Sequence, residues 1–262
     1  MKKGKRYIKE HKIKKSKDIM IFILLIVFLC MLIYSSFKIV NYIIDSKKNN
    51  DVIKDISKSI IVDENNDNIE NDIENTSKYK IDFNALKEKN SDVVGFLKVK
   101  GTDVENIVVK GSNNSYYLSH NFEKKSNSAG WIFADYRNKI DGTDKNIIIY
   151  GHNMRNNTMF GTLKKILNKE WQENTENRYI DFVTEKEESV YEVFSVYQIE
   201  AEDYYMKINF KNEEFNKYIE NMKKRSIYNF DVDVQEDDSL LTLSTCANNN
   251  KYRVILHAKK IK

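Results

Sequence analysis

Two rhythms of apolar residues run along this chain and divide it. Residues 19–34 are apolar without interruption, apart from the polarizable Cys30 and the terminal Tyr34, and Ser35, Ser36 and Phe37 extend the run to 19 residues. That is close to the ~20 residues a helix needs to cross a bilayer. From residue 81 onward the apolar positions come instead in short runs of Val, Ile, Tyr and Phe, separated by clusters of Gly, Asn, Asp and Lys. Residues 93–99, 104–109, 131–133, 146–150, 179–184, 190–198, 240–245 and 252–256 are predicted strands on this ground. Helices interrupt them. Phe83 and Leu86 face inward on a short helix capped by Asp82. Phe160, Leu163, Ile166 and Leu167 face inward on a second, capped by Thr158. Phe215, Tyr218, Ile219 and Met222 stand at i, i+3, i+4, i+7 on a third, capped by Asn212. About eight strands with two or three helices predict a mainly β protein, a closed or half-closed barrel.

Between the long apolar run and the body, residues 45–80 carry nine acids, six lysines and seven asparagines, with scattered Ile and Val. This pattern predicts a flexible or partly helical stalk, with a weak helix over 51–62.

Charge sharpens the division. The chain's net +4 hides an uneven split. Residues 1–18 hold nine basic and two acidic side chains, a net +7; the remaining 34 basic and 37 acidic side chains leave −3. The body therefore offers no electrostatic footprint for nucleic acid. A basic tail before one apolar span keeps the N-terminus in the cytoplasm. The span is longer than the apolar part of a cleaved signal, and no small-x-small site follows it cleanly. The organisation expected is a cytoplasmic basic tail (1–18), a transmembrane signal anchor (19–37), a stalk or linker (38–80) and an extracellular body (81–262), in a single-pass protein of the cell membrane.

Two cysteines are present, Cys30 in the apolar run and Cys246 in the body. An exported body with one unpaired thiol is unusual, and such a thiol is a candidate reactive group. A free Cys is by default a small buried hydrophobe. Here it ends a strand, with Ser244 and Thr245 before it and Ala247, Asn248, Asn249 and Asn250 after it. A thiol attacks as thiolate and needs a basic or cationic partner. Of the four histidines, His11 lies on the cytoplasmic side, and His257 lies down the following strand, far from Cys246. His120, in a loop, and His152, where a buried strand exits through Gly151, both stay open on the residues alone. Arg253 starts the next strand. Its default is a surface ion pair, and paired across the turn it could hold an oxyanion or a carbonyl.

Thr242-Leu243-Ser244-Thr245-Cys246 followed by Arg253 resembles the TLxTC…R signature of sortases, membrane-anchored cysteine transpeptidases of Gram-positive bacteria. Tyr150-Gly151-His152-Asn153-Met154 is similar to the segment around their histidine. Asp92-Val93-Val94-Gly95-Phe96-Leu97, Asn114-Ser115-Tyr116-Tyr117-Leu118, Gly130-Trp131-Ile132-Phe133-Ala134-Asp135-Tyr136-Arg137 and Met159-Phe160-Gly161 resemble class B. The likeness spans roughly residues 82–262. It implies an eight-stranded barrel with an N-terminal helix and a helical insertion before the cysteine strand, over 201–238. It implies a catalytic triad of His152, Cys246 and Arg253, and a peptide groove lined by Asn114, Leu118, Tyr150, Tyr205 and Ser244. The partners implied are the sorting-signal peptide of secreted surface proteins and an amine of the peptidoglycan stem or cross-bridge. No cofactor and no metal are expected. Two other readings compete: a hydrolytic cysteine endopeptidase, in which water resolves the acyl-enzyme, and a non-catalytic surface-anchored binding module with a structural Cys246.

Overall fold

The protein is described by a computed structural model covering residues 2–62, 78–200, 202–211, 214–246 and 251–262. It forms two compact units, residues 1–47 and Lys48–Lys262. The first is one long helix, α1 (Lys2–Ser57), which continues into the second unit. Its part from Lys17 on is long and apolar enough to cross a membrane, with mean hydropathy 2.8 over an 18-residue stretch. Its apolar side chains from Ile19 to Ile44 are exposed, with Tyr42 half-buried.

The second unit holds the core. After α1 come β1 (Ile60–Val62) and β2 (Tyr79–Ile81), which pair antiparallel. Ile56, near the end of α1, is 3% exposed, and the Tyr79 hydroxyl donates to the Asp181 carboxylate. The body proper begins with α2 (Phe83–Lys89). Asp82 caps it as expected, accepting the Ala85 amide at 2.9 Å.

Eight strands follow: β3 (Val93–Val99), β4 (Glu105–Val109), β5 (Phe133–Ala134), β6 (Asn146–His152), β7 (Tyr179–Val183), β8 (Glu188–Glu200), β9 (Leu240–Cys246) and β10 (Tyr252–Lys260). They close into the eight-stranded barrel expected, in the order β10-β8-β7-β3-β4-β5-β6-β9. Two pairings are parallel, β4 with β5 and β6 with β9. In β6 and β9 nearly every residue is buried, on both faces. Their runs Ile147-Ile148-Ile149 and Leu240-Leu241 reflect this, because a strand covered on both sides has no polar face to alternate with.

The inner covering is the barrel core. The outer covering is the segment between β8 and β9, built on α4 (Glu214–Arg225). Phe215, Tyr218, Ile219 and Met222 are all buried, as their spacing predicts. The Asn212 cap falls outside the described residues.

The Thr158 cap needs correction. The helical turn there is a 3-10 segment, Leu163–Leu167, with Thr162 at its cap position. Thr158 instead donates its hydroxyl to Asn156 Oδ1, and Thr162 Oγ1 accepts the Asp103 amide at 2.9 Å. Phe160, Leu163 and Ile166 are buried as read, while Leu167 is half-exposed. A further helix, α3 (Lys169–Glu173), is too short to leave a periodic signal.

Candidate active site

β6 and β9 run parallel and in register from Asn146 opposite Leu240 to His152 opposite Cys246. The histidine and the cysteine thus end the same ladder, on backbones about 4.8 Å apart. β10 returns antiparallel on the other side of β9, with Leu256 opposite Leu243 and Ile255 opposite Ser244. One step on, the Val254 amide donates to the Thr245 hydroxyl at 2.8 Å. Arg253 lies two residues before Ile255, where the β9–β10 pairing begins. Three neighbouring strands therefore carry His152, Cys246 and Arg253, with His152 paired opposite Cys246. Arg253 is half-exposed, and its Nη1 donates to the Tyr252 carbonyl at 3.3 Å.

His152 is held from several sides. Its carbonyl accepts the amides of Met154 at 3.1 Å and Phe160 at 3.0 Å, which folds the following loop back on the strand end. The fold-back is tight. A Cβ on Gly151 would lie 2.7 Å from the Phe160 ring, and one on Gly161 would lie 2.4 Å from the Met154 carbonyl oxygen. Asn157 and Met159 both sit at positive φ, 64° and 53°, conformations that cost a non-glycine side chain about 1 kcal/mol or more. The imidazole Nε2 is 2.8 Å from the carbonyl of Leu118, on the 3-10 turn Tyr116–Leu118. A carbonyl only accepts, so Nε2 carries the proton.

The groove candidates lie around this point. Tyr150 and Ser244 sit opposite each other on β6 and β9, two residues before His152 and Cys246. Tyr205 is buried, and its hydroxyl meets Ser244 Oγ at 2.9 Å. Leu118 is half-buried and touches His152 through its backbone. Asn114 is half-buried and gives its Nδ2 to Asp135 Oδ2 at 2.9 Å. Tyr150 donates to the same oxygen at 2.9 Å. Burial, then the Asp135 charge, push the Tyr150 phenol well above its ordinary range. Burial alone would push the Asp135 carboxyl up, but hydrogen bonds from Arg137, Asn114 and Tyr150 outweigh it and hold it below the usual carboxylate range. Asp135 is a residue that sequence reasoning quoted without giving a role. Its one local signal is the Arg two residues on.

The remaining histidines belong elsewhere. His120 stacks on Tyr116 with ring centroids 4.1 Å apart, and its Nδ1 lies 2.8 Å from the Tyr116 carbonyl. His257 is fully buried between the sheet and α4. The Nδ2 of Asn146 donates to the Lys207 carbonyl, so its Oδ1 accepts from Thr242 Oγ1 at 2.9 Å. The Thr242 hydroxyl has spent its proton there, so His257 donates to it from Nδ1 at 2.9 Å and accepts from the Tyr197 hydroxyl on Nε2, also at 2.9 Å. Burial lowers the His257 pKa to about 3, leaving it neutral. A polar chain of neutral partners thus joins the outer face of β9 to the insertion.

The family model of the sortase domain matches residues 97–261. The Sortase B of Listeria monocytogenes is 30% identical over 243 residues, 91% of this chain and 95% of that protein. A crystal structure of sortase B from Bacillus anthracis in complex with AAEK1 superposes with TM-score 0.71 at 31% identity, covering 84% of this chain and 99% of that one. A Staphylococcus aureus sortase B–substrate complex gives TM-score 0.65 at 33% identity over 69% of this chain and 84% of that one. A sortase B complexed with triglycine gives the same score and identity over 69% and 85%. The chain belongs to the sortase family, within its class B, and is a sortase-type cysteine transpeptidase.

Proposed function

We propose that the chain cleaves the C-terminal sorting signal of secreted surface proteins after a Thr, and passes the acyl group to an amine of peptidoglycan. The observation that supports this reading is the end of the β6–β9 ladder, His152 opposite Cys246, with Arg253 on the adjacent strand β10. The Cys246 thiolate attacks the carbonyl carbon after the Thr. Arg253, a planar and permanently charged fork, orients the peptide and stabilises the tetrahedral oxyanion. As the C–N bond breaks, the leaving amine takes a proton from the His152 imidazolium. The Leu118 carbonyl holds the imidazole through Nε2. The incoming amine then attacks the thioester, returns a proton to His152 and releases the thiolate, so the cycle is redox-neutral and balanced.

Asn114, Leu118, Tyr150, Tyr205 and Ser244 form the peptide groove in this reading, and the half-exposure of Asn114 and Leu118 suits direct contact. The relatives solved with a substrate and with triglycine support a peptide donor and an amine acceptor. The apolar helix is the membrane anchor, with the basic N-terminus in the cytoplasm and the body outside. The test is a peptide-library cleavage assay on the full-length chain in detergent, with and without diaminopimelate or oligoglycine. Cys246-dependent cleavage with an amine-ligated product is expected. Cys246→Ala and His152→Ala lower turnover by about 10³-fold or more, and Arg253→Lys by about 10²-fold. Cleavage that survives Cys246→Ala would end this reading.

A further inference from the structure

Asp135 is the most heavily coordinated side chain near the site. It follows β5, and its amide donates to the Ile148 carbonyl, which fixes it beside β6. The residue is 0% exposed, an expensive place for a carboxylate unless every lone pair is used. They are used. Oδ1 accepts the Arg137 amide at 3.0 Å and Arg137 Nε at 2.8 Å. Oδ2 accepts Arg137 Nη2 at 2.8 Å, Asn114 Nδ2 at 2.9 Å and the Tyr150 hydroxyl at 2.9 Å.

The donors come from separate parts of the fold. Asn114 is on the loop before the 3-10 turn that carries Leu118, and its Oδ1 also accepts the Tyr136 amide at 3.0 Å. Tyr150 is on β6, two residues from His152. Arg137 reaches past Asp135 and donates from Nη2 to the Met206 carbonyl at 3.2 Å. Met206 follows Tyr205, whose hydroxyl meets Ser244. One buried charge thus ties the Asn114 loop, the β6 wall and the inserted segment to a common point. A primary amide offers two protons and two lone pairs, and these bonds use one of each on Asn114. One N–H and one lone pair of this half-buried amide are left over from these bonds.

We propose that Asp135 is a positioning residue for the donor peptide: it locks Asn114, Tyr150 and, through Arg137, the 205–206 segment into one preformed groove wall. This rests on the transpeptidase reading above. Asp135 touches no reacting atom, so its loss weakens peptide binding and spares the chemical steps.

The test uses the full-length chain in detergent and a quenched-fluorescence peptide taken from the library screen. Asp135→Asn keeps the shape but removes the charge and turns one acceptor into a donor. Its KM for the peptide is expected to rise about tenfold, the effect of losing one charged hydrogen bond, while kcat stays within about threefold. Arg137→Lys removes the planar fork from a half-exposed position (43% exposed), and serves if Asp135→Asn fails to fold. It is expected to raise KM in the same direction with kcat unchanged. An unchanged KM in either folded variant, or a fall in kcat alone, overturns the inference. Absence of Cys246-dependent cleavage by the wild-type chain is a different result: it sinks the transpeptidase reading first and the groove wall with it.

Discussion

Two buried ionisable groups, His257 and Asp135, answer acid in a way that can be measured. His257 has a pKa near 6.5 when unfolded and about 3 when folded. Between those values the unfolded chain takes up a proton that the buried ring refuses. Acid therefore favours the unfolded state, and His257 erodes stability by about 1.4 kcal/mol per pH unit as pH falls through this window. Asp135, held below the usual carboxylate range, adds its own loss only further down, below the ordinary carboxylate pKa. Chemical denaturation of the wild-type chain at pH 7 and at pH 4.5 should show the loss, and His257→Gln should flatten the slope between them. Parallel slopes for the two proteins would refute the assignment. At this scale the sequence was an uneven guide. Cys246 stood out because a lone thiol at a polar strand end is locally odd, whereas His152 was singled out from His120 only by the family resemblance. Asp135 did not stand out, because its partners at positions 114, 137, 150 and 206 meet it only in the folded chain.

At the scale of elements, the loop after β6 is a clamp for His152. Its two positive-φ residues and its two close glycine contacts hold the Met154 and Phe160 amides on one carbonyl. Gly161→Ala sets a methyl group against the Met154 backbone, which a side-chain rotation cannot relieve. The loop must shift, at a cost of roughly 1–3 kcal/mol. The expected outcome is a drop of about tenfold or more in kcat with the barrel still folded, read by steady-state kinetics beside a thermal melt. Wild-type kcat would show that the loop does not position the histidine. The strands were legible because β-branched and aromatic runs between turn residues have no other use. So was α4, from its four apolar residues at helical spacing. The Thr158 segment was misread because Phe160, Leu163 and Ile166 are buried just as a helix would bury them, yet Gly161 and the Asn157–Met159 strain bend the chain before a short 3-10 turn begins. Apolar spacing reports which residues go inward, and over so few residues it does not separate helix from folded loop.

For the whole molecule, the division at Lys48 sets what can be removed. Residues 48–62 carry Ile56, buried at 3%, the Asn49 amide that donates to the Gly130 carbonyl at 3.3 Å, and the strand that pairs with β2. A chain starting at Lys48 is expected to melt with the full-length protein and to leave the membrane fraction. A chain starting at Ile81 loses the Ile56 contact, worth about 2 kcal/mol, and the Tyr79–Asp181 bond as well. It is expected to melt several degrees lower. Equal melting of the two truncations would show that the segment before α2 adds nothing. The barrel itself was readable from the count of strands, but its order was not, since β6 and β9 are joined by pairing across the whole insertion rather than by a turn.

That pairing has a consequence for timing. His152 and Cys246 are 94 residues apart in the chain and become neighbours only when β9 slots between β6 and β10. β9 and β10 follow the other six barrel strands in the chain. Until they close the ring, Cys246 lacks the neighbouring strands that carry His152 and Arg253, the partners proposed for it. On the proposed reading, a chain whose barrel is still open would be inert, and closing the barrel would complete the site.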